Sequence, residues 1–389
     1  METLINSNWN YPTNIIFGNG RISELASLCL SINIHKPLIV TDEGLANFEF
    51  IKNIQSNLKA CALFSQVKAN PNGENIAAGV KVYHEGQHDG IIAIGGGSAL
   101  DAGKAIALMV GQSLDIWAFE DVGNHYLHVN EAGMAPVIAI PTTAGTGSEV
   151  GRASVIVDES THTKKVIFHP NMLPQKVILD PELSQGLPAH ITAATGIDAF
   201  VHCFEAFCAP GYHPMADGIA VQGMLLVKQW LPVAYLNGKN LTARGYMLTA
   251  STMGATAFQK GLGGVHALAH PLGAIYDKHH GLLNAILLPY VVLANRPAIE
   301  DKIQYLCGAL ELGNHGLNSF HVFFDWLMGF RAELGIPKNL AEIGIDTKRA
   351  EEISLLAVAD PSASGNPVAF GVKSYEAILI DAVNGKIEL

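Results

Sequence analysis

In the first half of the chain, short apolar runs alternate with longer amphipathic stretches. HKPLIVTD, CALFSQV, DGIIAIGGG and APVIAIPTT are rich in β-branched residues, and most of them close on Gly, Asp or Thr. This alternation predicts strands joined by helices, the βαβ rhythm of a parallel sheet. From about Pro188 onward the pattern changes. Apolar residues recur at three- and four-residue spacing in HITAATGIDAFVHCFEAF and LTARGYMLTASTMGATAF, which predicts helices. Between the two textures, ASVIVD, KKVIF and KVILD predict a few further strands. The expected architecture is an α/β domain with a Rossmann-like parallel sheet over residues 1–187 and an all-α domain over residues 188–389. No internal repeat or low-complexity tract interrupts it.

A chain of 389 residues exceeds what one hydrophobic core usually serves, in keeping with two domains. Its composition, 49% hydrophobic and 15% charged, is apolar-rich, and we attribute this to buried helices or a homo-oligomer (dimer) interface. No run of about twenty uninterrupted apolar residues predicts a membrane span. The N-terminal METLINSNWNYPTN lacks the basic opening and apolar core of a secretory signal, so a cytoplasmic location is expected. A net charge of −11 with no compensating basic run argues against nucleic acid as a partner. The five cysteines form no CxxC pair and are expected to be reduced and mostly buried, Cys203 and Cys208 included.

The chemistry suggested by the sheet lies at its carboxyl ends, where parallel sheets bind ligands. IIAIGGGSALDAGKAIAL reads as a strand, three glycines, a serine and an amphipathic helix with Asp101 in its first turn. Glycines let backbone approach a ligand, and a helix N-terminus offers unpaired N–H groups to a phosphate. The turn at Gly96, Gly97 and Ser98 therefore suits a dinucleotide pyrophosphate, although a plain strand-to-helix turn reads the same way and GxGxxG is absent. PTTAGTGSEVGRAS places Thr142, Thr143, Thr146 and Ser148 after the next strand, where hydroxyls suit phosphate or carboxamide oxygens. Asp42, closing LIVTD, is either a turn aspartate or a ribose acceptor that repels a 2′-phosphate and favours NAD over NADP.

The helical half carries a different constellation. Asp198 and His202 are four residues apart, one helical turn, so both side chains reach the same point. His266 and His270 repeat that spacing, and His280 follows after an interruption that can fold the chain back. One carboxylate with several imidazoles matches the needs of a divalent metal. A lone Asp/His pair is equally a salt link, but the cluster together with the small residues around it favours a metal site.

These motifs are long enough to carry a resemblance. GGGSALDAGKA at 95–105, PTTAGTGSEV at 141–150, TGIDAFVHCFEAF at 195–207 and GxxHxxxHxxG from Gly263, followed by HGxxNA from His280, resemble the iron-containing alcohol dehydrogenase family over nearly the whole chain. The resemblance implies a dinucleotide-binding α/β domain followed by an all-helical metal-binding domain of dehydroquinate-synthase-like architecture, with the active site between them. It implies Asp198, His202, His266 and His280 as metal ligands, Fe²⁺ first and Zn²⁺ as an alternative, and His270 as a proton carrier beside the substrate. It implies NAD contacts at Asp42, Asn70, Gly96, Gly97, Ser98, Thr142, Thr143, Thr146 and Lys164, and a small alcohol or aldehyde as substrate.

Two departures bear on the substrate pocket. The family often has TNPR near its end, where this chain has Ser364-Gly365-Asn366-Pro367-Val368, and a threonine after GTGSEV, where this chain has Gly151-Arg152. Two other readings stand beside the main one: a glycerol-dehydrogenase-like zinc polyol oxidoreductase, and a catalytically silent nucleotide-binding module.

Overall fold

The computed structural model describes residues 11, 13–58, 60–161, 163–313 and 318–389. The chain divides into two compact units, Pro12–Leu187 and Pro188–Leu389, and Tyr11 belongs with the second.

In the first unit the described strands are β1 (Asn14–Phe17), β2 (Pro37–Asp42), β3 (Ala62–Val67), β4 (Gly90–Gly95), β5 (Val137–Pro141), β6 (Ala153–Asp158), β7 (Thr163–Phe168) and β8 (Lys176–Leu179). The helices are α1 (Leu25–Ser31), α2 (Glu49–Asn57), α3 (Gly73–Gly86) and α4 (Gly97–Met109). Six strands form a wholly parallel sheet in the order β1-β8-β5-β4-β2-β3. On one face Ile39, Ile92, Ile94, Ile138 and Ile140 pack with Leu25, Cys29, Ile51 and Ile54 of α1 and α2. From β2 the chain winds outward to β3, then returns to β4 and continues through β5 to β8, so the direction of winding reverses between β2 and β4. Side-by-side carboxyl ends at such a reversal open a crevice that suits a ligand.

Two details differ from the sequence expectation. β6 and β7 pair with each other as an antiparallel hairpin outside the parallel sheet. Helix α4 is buried on nearly every face from Ala99 to Leu108 and is not amphipathic, and Asp101 falls in its second turn. The hairpin accounts for the burial of α4, because β6 packs against that helix. Val155 N donates to Asp101 Oδ2 at 2.9 Å, and Ser154 Oγ to the Asp101 carbonyl at 2.8 Å. Lys104, 1% exposed, donates to the Ser148 carbonyl at 3.0 Å and pairs with Asp101 at 3.2 Å. Asp101 therefore braces the loop after β5, where Ser148 Oγ also donates to it.

The second unit is helical: α5 (Ala189–Cys208), α6 (Pro214–Leu236), α7 (Leu241–Ala257), α8 (Gly264–Tyr276), α9 (His280–Ala309), α10 (Ser319–Glu333), α11 (Ala350–Ala359) and α12 (Val372–Asn384). Helix α5 is buried without interruption from Thr192 to Cys208, which makes it the central helix of the unit. By length and composition α5, α6 and α9 are apolar enough to cross a membrane, contrary to the reading of the sequence. In α5 the apolar character is matched by burial against neighbouring helices, since 94% of its most apolar window is inside the unit. Cys203 and Cys208 lie within this core, and burial pushes both thiols up to about 12, so they remain protonated.

Candidate metal centre and nucleotide turn

Three helix termini or faces in the second unit meet at one point. Helix α5 turns Asp198 and His202 to one side. Helix α8 presents His266 and His270 from its first turns, and α9 begins at His280. The chain reverses between α8 and α9 at Asp277, which takes the left-handed conformation (φ 49°) that Asp tolerates better than most residues, and His279 then caps α9 by accepting from Leu282 N. Close packing needs the glycine that follows His280. A Cβ on Gly281 would stand 2.6 Å from the Ala194 carbonyl oxygen and 3.2 Å from Asp198 Cβ, so only glycine brings this end of α9 against α5.

The result is a donor cluster. One donor atom each from Asp198, His202, His266 and His280 lie within 4.8 Å of one another. Asp198, His202 and His266 are buried, while the His280 side chain is 24% exposed and that of His270 15%, so the cluster opens on the side of these two imidazoles. Burial pushes His266 well below the ordinary imidazole range, a shift reinforced by neighbouring His202 and only partly offset by Asp198. Burial thus disfavours the protonated form of the His266 imidazole.

Asn284, fully buried, shows that the cluster suits a cation. Its Nδ2 lies 2.6 Å from Asp198 Oδ1, 3.0 Å from His280 Nε2 and 3.2 Å from His266 Nε2, while its Oδ1 has no hydrogen-bond partner. An amide has two hydrogens for these three acceptors. The surplus of lone pairs in a buried place, one of them on a carboxylate, fits a divalent metal, and the O/N donor set suits iron or zinc.

His270 stands apart from the four. Its Nδ1 is 2.8 Å from Asp360 Oδ2, and its ring stacks on that of His280 with centroids 5.4 Å apart. Burial works against the Asp360 carboxylate, but His270 beside it and the Ser362 N–H hold it below the usual carboxylate range. On the other side of the cluster His266 Nδ1 is 2.6 Å from Glu205 Oε2. Burial pushes Glu205 up to about 7, against the pull of backbone N–H groups from Val265 and Gly263. Neither Glu205 nor Asp360 was singled out from the sequence. Glu205 left a faint signal, being seven residues beyond Asp198 on the same helical face. Asp360, ninety residues from its partner, left none.

The candidate nucleotide turn is built within the first unit. Asn70, Asp42, the Gly96-Gly97-Ser98 turn and the Thr142-Thr143 turn follow four neighbouring parallel strands, β3, β2, β4 and β5, and so share one edge of the sheet. Gly95 takes φ 146°, and a Cβ there would meet Asp42 Oδ2 at 3.3 Å, which places Asp42 beside the turn. A Cβ on Gly97 would stand 2.6 Å from Thr146 Cγ2. Gly96 provides no side-chain cap to α4, and Thr143 and Thr146 stand beside Gly96 and Gly97, a helix N-terminus among small and hydroxyl residues that suits a phosphate. Ser98 Oγ donates to the Ala69 carbonyl and Thr142 N to the Gly95 carbonyl, tying the three turns together. Lys164 lies on β7 opposite Val157, whose N–H donates to the Pro71 carbonyl at 2.8 Å, and so flanks the Asn70 turn. Asp42 also serves locally, accepting from Leu45 N at 3.0 Å.

Comparison with known proteins matches nearly the whole chain. The profile described as iron-containing alcohol dehydrogenase matches residues 12–181, and that of the Fe-containing alcohol dehydrogenase family, C-terminal, matches residues 192–383. The chain is 35% identical to a 4-hydroxybutyrate dehydrogenase of Cupriavidus necator, over 95% of this chain and 98% of that one. It is 32% identical to an NAD-dependent methanol dehydrogenase of Bacillus methanolicus, over 97% and 100%. A crystal structure of a 1,3-propanediol oxidoreductase superimposes with a TM-score of 0.91 at 32% identity, covering 97% of this chain and all of that one. With both halves matched in register and the same fold in the solved relative, the chain belongs to the iron-containing alcohol dehydrogenase family.

Proposed function

We propose that this oxidoreductase exchanges a hydride between a small alcohol and NAD, acting as a metal-dependent alcohol dehydrogenase and aldehyde reductase. The convergence of Asp198, His202, His266 and His280 within 4.8 Å, in a chain of this family, carries the reading. When bound, a divalent cation polarises an alcohol or carbonyl oxygen while NAD supplies the hydride acceptor or donor. Asp198 would offer a carboxylate oxygen and His202, His266 and His280 one ring nitrogen each to that cation. His270, with Nδ1 held by Asp360, keeps its other nitrogen for exchanging the alcohol proton. In residues 1–187, Gly96, Gly97 and Ser98 would hold the pyrophosphate and Asp42 the ribose. Thr142, Thr143, Thr146, Asn70 and Lys164 would line the remainder, leaving residues 188–389 as the metal-binding domain.

The finer assignments follow the same reasoning. The metal is Fe²⁺, with Zn²⁺ as the alternative, and the protein is a cytoplasmic homodimer whose partner is neither nucleic acid nor membrane. Substrates are small primary alcohols and their aldehydes, a class supported by the names of the relatives. The direct test is NADH formation from short alcohols after reconstitution with Fe²⁺ or Zn²⁺. Absence of turnover with every alcohol and aldehyde under both metals would refute the assignment.

Two predictions concern the cofactor. Asp42→Gly is expected to raise kcat/KM for NADP(H) relative to NAD(H), because a charge facing the 2′-phosphate is gone, and to lower stability by about 1 kcal/mol through the lost bond to Leu45 N. Equal use of both cofactors by the unaltered enzyme would contradict it. Gly97→Ala is expected to displace Thr146 and weaken NAD binding, with a stability loss of roughly 1–3 kcal/mol from overpacking. Calorimetric titration with NAD checks the first effect and thermal unfolding the second.

A further inference from the structure

Helix α8 carries two histidines of the site, and its first turn is held by side chains from distant parts of the chain. Gly263 N donates to Glu205 Oε2 at 2.9 Å and Val265 N to Glu205 Oε1 at 2.7 Å. Gly264 N donates to Asn366 Oδ1 at 2.9 Å. Asn366 and Asn295 form a reciprocal amide pair, with Nδ2-to-Oδ1 distances of 2.7 and 2.8 Å, and both are buried. The asparagine of the divergent segment Ser364–Val368 therefore keeps a structural task even though the threonine and arginine of the family pattern are missing.

Glu205 does one thing that Asn366 does not: it touches a ring nitrogen of His266. We propose that Glu205 is a positioning residue for the metal centre, whose carboxylate fixes the tautomer and orientation of His266 so that Nε2 faces the donor cluster as a lone pair. The inference rests on the metal-site reading above. Backbone N–H groups only donate, so both oxygens of Glu205 accept from the chain, and in the proposed tautomer Oε2, 2.6 Å from His266 Nδ1, also accepts the ring proton. A neutral imidazole protonated at Nδ1 has its lone pair on Nε2, the atom lying 3.9 Å from Asp198 Oδ1. Glu205 stands on the same face of α5 as Asp198 and His202, so one helix supplies two donors and the group that orients a third. Carboxylates that hold a ligating histidine in this way sharpen both its aim and its basicity.

The test compares the wild-type protein with Glu205→Gln and Asn366→Ala, each stripped of metal and titrated with Co²⁺ or Zn²⁺ against a competing chelator. A glutamine offers one oxygen to three N–H donors and adds two hydrogens of its own. Glu205→Gln is expected to weaken metal affinity roughly 10- to 100-fold and to shift the visible absorption bands of the Co²⁺ form. Asn366→Ala is expected to lower the melting temperature but leave affinity and bands near wild type. Wild-type affinity and bands in Glu205→Gln would overturn the proposal, as would an equal loss in Asn366→Ala, which would make helix docking the cause. If Glu205→Gln does not fold, ¹⁵N-histidine NMR of the metal-free wild type decides, with Nδ1–H at His266 expected and Nε2–H overturning the idea. A wild-type protein that takes up no cation would refute the metal-site reading itself, and this inference with it.

Discussion

Replacing His280 with alanine is expected to remove bound metal and nearly all turnover while the fold survives. His280 is the first residue of α9 and is partly exposed, and alanine there is a strong helix former, so little packing is lost. What disappears is one of four converging donors. The loss in affinity should exceed the roughly 10- to 100-fold that residues merely supporting a ligand command. His266→Ala should abolish metal binding in the same way but at greater structural cost, since it opens a buried void and leaves Glu205 without its imidazole partner. Metal content after purification without chelator, read together with kcat and melting temperature, checks both variants. Wild-type metal content and activity in either would show that the donor set is misassigned.

With His270 replaced by alanine, the metal is expected to remain and kcat to fall by roughly 100- to 10,000-fold, the range of general acid–base catalysis. The geometry behind this is the division of labour among the imidazoles. Among the described residues, the converging donors are Asp198, His202, His266 and His280, whereas His270 commits Nδ1 to Asp360 and lies alongside His280 as a stacked ring. Asp360→Asn should give a smaller fall in kcat, because the ring stays in place with its orientation less firmly held. Metal stoichiometry, melting temperature and kcat on His270→Ala separate three roles. Lost metal would make His270 a ligand, and lowered stability without a kinetic defect would make it a packing residue.

Much of the site was legible because its parts are local motifs. Asp198 and His202 announce themselves by a spacing of one helical turn, and so do His266 and His270. The candidate nucleotide turn is visible because glycines and threonines follow apolar runs directly. Other parts were quoted within motifs without a role. Asn284 sits in the HGxxN run and Glu205 in TGIDAFVHCFEAF, but nothing in either run says that one lies among the donors and the other behind them. Asp101 was misplaced for the complementary reason, since its partners Val155 and Ser148 belong to a hairpin and loop some fifty residues away. The four-residue strand β1 escaped notice because its pairing with β8 joins segments about 160 residues apart.

The sequence alone determined the change from alternating strand and helix to continuous helix near Pro188, the polar turns at the strands' carboxyl ends, and the residue types available to a metal. Those properties reside in consecutive residues, where periodicity and turn chemistry act. Tertiary structure alone decided which lone pairs converge and which carboxylates hold the imidazoles behind them. The contacts of Glu205 with His266, of Asp360 with His270 and of Asn366 with Gly264 span 61, 90 and 102 residues. Such pairs are set by how helices pack and where the chain reverses, and the period of a single helix carries no information about either.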